Sequence, residues 1–263
     1  LAEMGVIFCS FGDMLRVPGG SGSLEDAREL VDAAHARGLY VFFDGVFGHH
    51  KGEVAASPSG RRPIDSTNTN DYGGDPSSYP GRVVDYDHPD TLAFYTEVAT
   101  YWIEELGIDG WRLDQAYQVP LPAWREIRAA VESAAAARRD AGHRWGTLGY
   151  MVAEIFSGAE AIVEQALGDA GNPALDSAFD FPLRWATVGV LGSEENGLNS
   201  RPASTLNESW AYGAHTDLYR DAAVLNMMLG NHDFVRFGDL LQRAGLAEPE
   251  EPEWWKRHQL AFM

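Results

Sequence analysis

Three carboxylates close three short apolar runs. They are Asp114 in Gly110-Trp111-Arg112-Leu113-Asp114, Glu154 in Met151-Val152-Ala153-Glu154, and Asp233 in Leu229-Gly230-Asn231-His232-Asp233. Two carboxyl groups facing each other can open an acetal: one protonates the leaving oxygen and the other meets the anomeric carbon from the opposite side. Glu154 is the only Glu among the three, and Met151, Val152, Ile155 and Phe156 surround it with apolar groups. Such surroundings raise a carboxyl pKa, which suits a general acid near neutral pH. Arg112 precedes Asp114 by two residues, so on a strand both side chains point the same way. A guanidinium beside a carboxylate keeps it ionised, as a nucleophile requires; a buried ion pair that holds a barrel together is the lesser alternative. Asn231-His232-Asp233 adds an acid flanked by hydrogen-bonding groups, and Asp44-Gly45-Val46-Phe47-Gly48-His49 offers another acid and another imidazole. These groups could grip the hydroxyls of a sugar ring.

The elements that must hold these residues alternate along the chain. Apolar runs at 5–10, 39–46, 108–114, 148–155, 177–183 and 224–231 read as six strands, each bounded by turn residues as buried parallel strands are. Helical periodicity fills the intervals. Ser23 caps a helix whose Leu24, Ala27, Leu30, Val31 and Ala34 share one face and which stops at Gly38. Pro89-Asp90 opens another with Leu92, Tyr95, Val98, Trp102 and Leu106 on one stripe, and 122–138 and 159–167 read as two more. Residues 194–208 are polar and Asn-rich, and helical patterns follow the last strand. Repeated strand–helix units predict a parallel sheet with helices outside, and acids delivered by several different strands favour a (β/α)8 barrel over an open sheet. Six strands are two fewer than a closed barrel, so the fold is expected to be an α/β barrel incomplete at both ends, spanning 1–263. Residues 50–84 are rich in Pro, Gly, Ser, Asn and Asp without any period, which predicts an inserted subdomain after the third barrel strand.

Composition narrows the partners. A formal net charge of −19 argues against nucleic acid or an anionic membrane surface, both of which would repel the chain, and no apolar run is long enough to span a bilayer. A neutral substrate fits better. Eight Trp and ten Tyr, many near turns, suit stacking on sugar rings and equally suit filling a core. Cys9 is alone, so the sequence holds neither a disulfide framework nor a cysteine metal site. The chain opens at Leu1 within an element and closes at Met263 within an amphipathic pattern (Trp254, Trp255, His258, Leu260), as expected of a piece of a longer protein. The segment 18–23 (Pro-Gly-Gly-Ser-Gly-Ser) lacks the spacing and the Lys of a phosphate loop.

Four of the segments above, the one ending in His49 and the three ending in Asp114, Glu154 and Asp233, resemble the four short signature regions of the α-amylase family of glycoside hydrolases, in the family's order. Val84-Asp85-Tyr86-Asp87 is similar to the extra region near the end of that family's inserted domain B. The resemblance implies a retaining enzyme that cleaves α-1,4-glucosidic bonds in starch-like glucans. A transglycosylase or α-glucosidase working on short α-glucosides or sucrose is the alternative, and a non-catalytic barrel used for binding is a further one. It implies Asp114 as nucleophile, Glu154 as acid/base and Asp233 as transition-state stabiliser. Arg112, His49 and His232 would hold the glucosyl unit, Asp44 would support the site from beneath, and Arg236 would reach the same subsite. An α-glucan substrate class favours secretion. Three departures stand out. Gly48 replaces the Asn that ligates a structural calcium in many members, and Gln115-Ala116-Tyr117-Gln118 replaces the segment with Lys-His that calcium-dependent members carry after the nucleophile. No metal or other cofactor is therefore expected. Phe11-Gly12-Asp13-Met14 stands where the family places an aromatic stacking platform after its second strand.

Overall fold

The computed structural model describes residues 6–10, 23–50, 54–67, 82–195, 199–211, 218–219, 221 and 223–262. In chain order the elements begin β1 (Val6–Ser10), α1 (Leu24–Ala36), β2 (Tyr40–Gly45), β3 (His49–His50), β4 (Arg82–Val83) and α2 (Pro89–Leu106). β5 (Gly110–Leu113), α3 (Leu121–Asp140), β6 (Tyr150–Ala153), α4 (Ala159–Ile162), β7 (Gly168–Asp169), β8 (Asn172–Pro173) and β9 (Ser177–Phe179) follow. The order closes with α5 (Phe181–Leu191), α6 (Ser204–Ala211), β10 (Val224–Asn226), α7 (Phe237–Arg243) and α8 (Pro252–Phe262). Six strands form one sheet, β1-β2-β5-β6-β9-β10, every pair parallel and in chain order. This parallel sheet in chain order is what the expected strand–helix alternation builds.

Pairing register decides which side chains share a face. Ser10 lies level with Asp44, Asp44 with Arg112, and Arg112 with Val152. Because side chains alternate along a strand, Val41, Phe43, Trp111, Leu113, Met151, Ala153 and Ala178 turn to one side, into the large core shared with α1, α2 and α3. Phe42, Asp44, Arg112, Tyr150, Val152 and Phe179 belong to the other side, where the Phe42 and Tyr150 rings meet edge to face at 5.3 Å. One acid and one guanidinium thus sit on the inner face, and two residues further along their own strands come Asp114 and Glu154. Gly110 opens β5 because a Cβ there would lie 1.9 Å from the Tyr150 carbonyl oxygen, so only glycine permits the two strands to approach.

Four sequence expectations change. The run 177–183 is strand only to Phe179, because Asp180 caps the Leu183 N–H at 2.9 Å and Pro182 stands in the first turn, which starts α5. The run 224–231 pairs only to Asn226 and then becomes loop. The helix expected over 159–167 is α-helical to Ile162 and then widens to π-type turns over Val163–Leu167. The polar stretch 194–208 leads into α6 at Ser204.

Of the segment expected to form an insertion, 54–67 and 82–84 are among the described residues. β3 pairs antiparallel with β4, Asp65 bridges to Val84, and Tyr86 donates its hydroxyl to the Phe47 carbonyl at 2.9 Å. The Glu97 carboxylate of α2 accepts from the Ser57 hydroxyl at 2.6 Å and from the Ser59 N–H at 2.7 Å, which anchors the turn that follows β3. The platform sought at 11–14 and the loop 18–22 lie outside the described residues.

At the opposite end of the strands, Asp109 is fully buried. Its carboxylate accepts the Val41 N–H at 2.9 Å and the Gly146 N–H at 3.0 Å and lies 3.0 Å from His35 Nε2, whose ring stacks on Trp145 at 4.6 Å. One acid thereby ties α1, β2, β5 and the approach to β6. Asp109→Ala would strand two buried N–H groups and an imidazole, so it should cost about 3–5 kcal/mol of stability in urea unfolding. A loss of less than about 1 kcal/mol would mean that water replaces the carboxylate.

Candidate active site

Arg112 is the centre of the inner face. It is buried, and its Nη1 donates to Asp44 Oδ1 at 2.6 Å and to Asp114 Oδ1 at 2.7 Å. Its Nη2 lies 2.7 Å from Glu154 Oε1, an ion pair set off the line of a hydrogen bond. One guanidinium therefore gathers three carboxylates from β2 and from the residues that end β5 and β6. Backbone pairing continues past the strands to lock this arrangement: Asp114 N–H donates to the Gly45 carbonyl and Glu154 N–H to the Leu113 carbonyl, each at 2.9 Å.

The turn after Asp114 completes the grip. Gln115 adopts a left-handed backbone (φ 42°), alone among described non-glycine residues, and this aims its N–H at Glu154 Oε2, 3.1 Å away. Burial raises the Glu154 pKa; Arg112 and the Gln115 N–H oppose that rise, and the nearby Asp114 and Asp233 add to it, so the carboxyl ends above its ordinary value. Asp44 is likewise raised by burial, against the pull of Arg112. Three acids around one cation cannot all ionise cheaply in a partly dry pocket.

Asp114, Glu154, His232 and Asp233 line one cleft of about 420 Å³, together with Gln115, Tyr117, Phe156 and Phe234. His49 reaches the same acid from β3, with Nε2 3.7 Å from Asp114 Oδ2. Asp233 lies beyond the end of β10, on a turn where its N–H donates to Asn231 Oδ1 at 2.9 Å and its carboxylate lies 3.4 Å from His232 Nε2. Both side chains are well exposed. Arg184 of α5 braces this loop from below: its buried guanidinium donates to the Leu229 carbonyl at 3.1 Å, pairs with Glu195 and sits 3.8 Å from the centre of the Phe234 ring. Arg236 donates to the Asn231 carbonyl and so holds the same loop at its far side.

Tyr117 and Phe156 put exposed rings on the cleft wall beside Glu154, and the half-buried Phe234 lines the same cleft. Sequence reasoning missed Tyr117 and Phe234 altogether and took Phe156 only as apolar padding. Phe156 stands three residues after the end of β6, and that spacing offers no signal of exposure. A Cβ on Gly48 would lie 2.4 Å from Gln118 Cβ. The Gln118 side chain fills the space that an Asn at 48 would need.

The family model of the alpha amylase catalytic domain matches residues 82–252. The chain belongs to the alpha-amylase family. Among solved structures, that of AmyP in complex with maltose superposes with a TM-score of 0.81 at 48% identity, covering 95% of this chain and 47% of AmyP. A cyclomaltodextrinase of a Bacillus species is 35% identical over 142 residues, 43% of this chain and 23% of its own. Neopullulanase 2 of Thermoactinomyces vulgaris is 25% identical over 94% of this chain and 46% of its own length. The chain thus spans about half or less of these relatives.

The raised Glu154 pKa has a consequence for stability. A carboxyl whose folded pKa lies above its unfolded one stabilises the fold while protonated, and that contribution is lost as pH rises through the folded pKa. Glu154→Gln keeps the neutral shape at every pH and leaves Arg112 two acids. Its melting temperature should exceed that of the unsubstituted protein at pH 7, with the gap closing towards pH 4. A lower melting temperature at pH 7 would show that the Arg112 pair outweighs burial.

Proposed function

We propose that the protein is a retaining glycoside hydrolase that cleaves α-1,4-glucosidic bonds in starch-like glucans and their oligosaccharides, on a (β/α)8 barrel with a short inserted domain B near 50–84. The observation that carries this reading is the Arg112 clamp, which holds Asp114 and Glu154 side by side in a cleft also lined by Asp233. In a retaining enzyme the two carboxyl groups stand about 5–5.5 Å apart, and one guanidinium between them suits that spacing.

In this mechanism Arg112 holds Asp114 Oδ1, which leaves Oδ2, on the His49 side, as the attacking oxygen. Glu154, whose pKa burial raises, gives its proton to the glycosidic oxygen as Asp114 forms a bond to the anomeric carbon and the leaving sugar departs. Glu154, now a carboxylate, takes a proton from water, and the resulting attack on the anomeric carbon frees Asp114. Asp233 and His232, on the exposed loop across the cleft, hold the ring hydroxyls and favour the distorted sugar, and His49 holds the glucosyl unit from the other side. Asp44 keeps Arg112 in place from beneath.

A transglycosylating reading has one observation in its favour. Tyr117 and Phe156 offer exposed rings next to Glu154, where an acceptor sugar rather than water would stack. Product analysis on starch, maltose and sucrose separates the two: glucose and short maltooligosaccharides mark hydrolysis, while products longer than the substrate mark transfer. AmyP and the cyclomaltodextrinases lend the α-glucan class its support.

The roles predict different failures. Asp114→Asn in the full-length protein should abolish turnover of every glucoside, because no covalent intermediate forms. Glu154→Gln should lose about 10²–10⁴-fold on starch and far less on α-glucosyl fluoride, whose leaving group needs no proton. Equal losses on both substrates would remove Glu154 from the acid role. The reading also includes no calcium requirement: EDTA should leave the melting temperature within a degree or so, and a fall of many degrees would overturn that part.

A further inference from the structure

The segment Gln115-Ala116-Tyr117-Gln118, which departs from the family pattern, points its last side chain at His49. We propose that Gln118 is a positioning residue for His49, and that Gly48 is glycine in order to admit it. Gln118 Oε1 lies 2.6 Å from His49 Nδ1, while its Nε2 faces Gln115 Oε1 at 3.4 Å. A carbonyl oxygen only accepts, so the amide turns its NH2 towards Gln115 and its oxygen towards the imidazole. His49 Nδ1 must then carry a proton, and that choice of tautomer leaves Nε2 facing Asp114 Oδ2 as the atom that meets a substrate hydroxyl.

Three observations hold Gln118 in place. The 3-10 turn Ala116–Gln118 brings Gln118 N–H to the Gln115 carbonyl at 3.0 Å. Gln115 Oε1 also accepts the Tyr117 hydroxyl at 2.8 Å, so the carbonyl that Gln118 faces is itself anchored. Finally, a Cβ at position 48 would lie 2.4 Å from Gln118 Cβ and 2.6 Å from its Oε1, so any larger residue at 48 would push Gln118 off the imidazole. The same short turn therefore serves two residues on opposite sides of Asp114. Its first residue donates to Glu154 and its last accepts from His49. The role of His49 towards sugar rests on the proposed function; its tautomer does not.

The test uses the full-length protein with 15N-labelled histidine. Two-bond 1H–15N spectra should show His49 as the Nδ1–H tautomer in the unsubstituted protein and in Gln118→Glu, which keeps an acceptor. They should show loss of that tautomer in Gln118→Leu. With maltotriose, Gln118→Leu should lower kcat/KM about 10-fold or more, Gln118→Glu should recover most of it, and in a His49→Ala background Gln118→Leu should have no further effect. An Nε2–H His49 in the unsubstituted protein, or a tautomer unmoved by Gln118→Leu, would overturn the proposal. An equal kinetic loss with and without His49 would do the same, since that marks general loosening of the turn. Absence of any turnover of α-glucans by the unsubstituted protein would fail the proposed function instead, and the spectra would still decide the placement of His49.

Discussion

One buried guanidinium with three carboxylates around it is the constraint from which the rest of the site follows. Arg112 cannot shed its proton, so burying it requires negative partners, and Asp44, Asp114 and Glu154 supply more of them than it needs. The surplus is what makes the arrangement chemically useful. If every acid were matched, all could stay ionised; with three sharing one cation, burial keeps Glu154 and Asp44 above their ordinary pKa values. A carboxyl that resists ionisation beside one that is hydrogen-bonded to a cation is the pairing from which acid and nucleophile are drawn.

The sheet exists, in functional terms, to bring those groups level. Parallel register sets Asp44 beside Arg112, and the ladder runs on for one more bond beyond β5 and β6 before turning outward at Gln115. Each strand contributes one or two polar residues at its end and apolar residues elsewhere, so the cost of the charged cluster is confined to one rim. The Asp109 network does the opposite task at the other rim, where a fully satisfied acid knits helix and strand ends together. Loops carrying His232 and Asp233 lie further from this rigid frame and depend on Arg184 and Arg236 for support.

Much of this was legible in the residues. A period of two puts Arg112 and Asp114 on one face, and short apolar runs ending in acids are readable as buried strands. What was hidden was decided by side chains that act at a distance in sequence. Strand and helix are indistinguishable by apolarity over 177–183, and only the Asp180 cap with Pro182 breaks the tie. Asp233 reads as a strand-end acid, yet pairing stops at Asn226, because continuation requires a neighbour that composition does not reveal. Gln115 and Gln118 carried no signal beyond being unusual, since their use depends on a left-handed turn and on the absence of a side chain at Gly48. Arg236 reads as a substrate contact, and its guanidinium also donates to the Asn231 carbonyl, a loop contact that the residue order alone does not reveal.

The account stands on Asp114 as the oxygen nucleophile beside an acid that Arg112 holds in place. The most direct measurement is to treat the full-length protein with a fluorinated α-glucosyl fluoride that slows hydrolysis of the covalent intermediate, and then to map the labelled peptide by mass spectrometry. The account predicts a glucosyl adduct on the peptide containing Asp114, at that residue, with sugar released in the α configuration. Release of β-configured sugar without any adduct, or a label on Glu154, would contradict it.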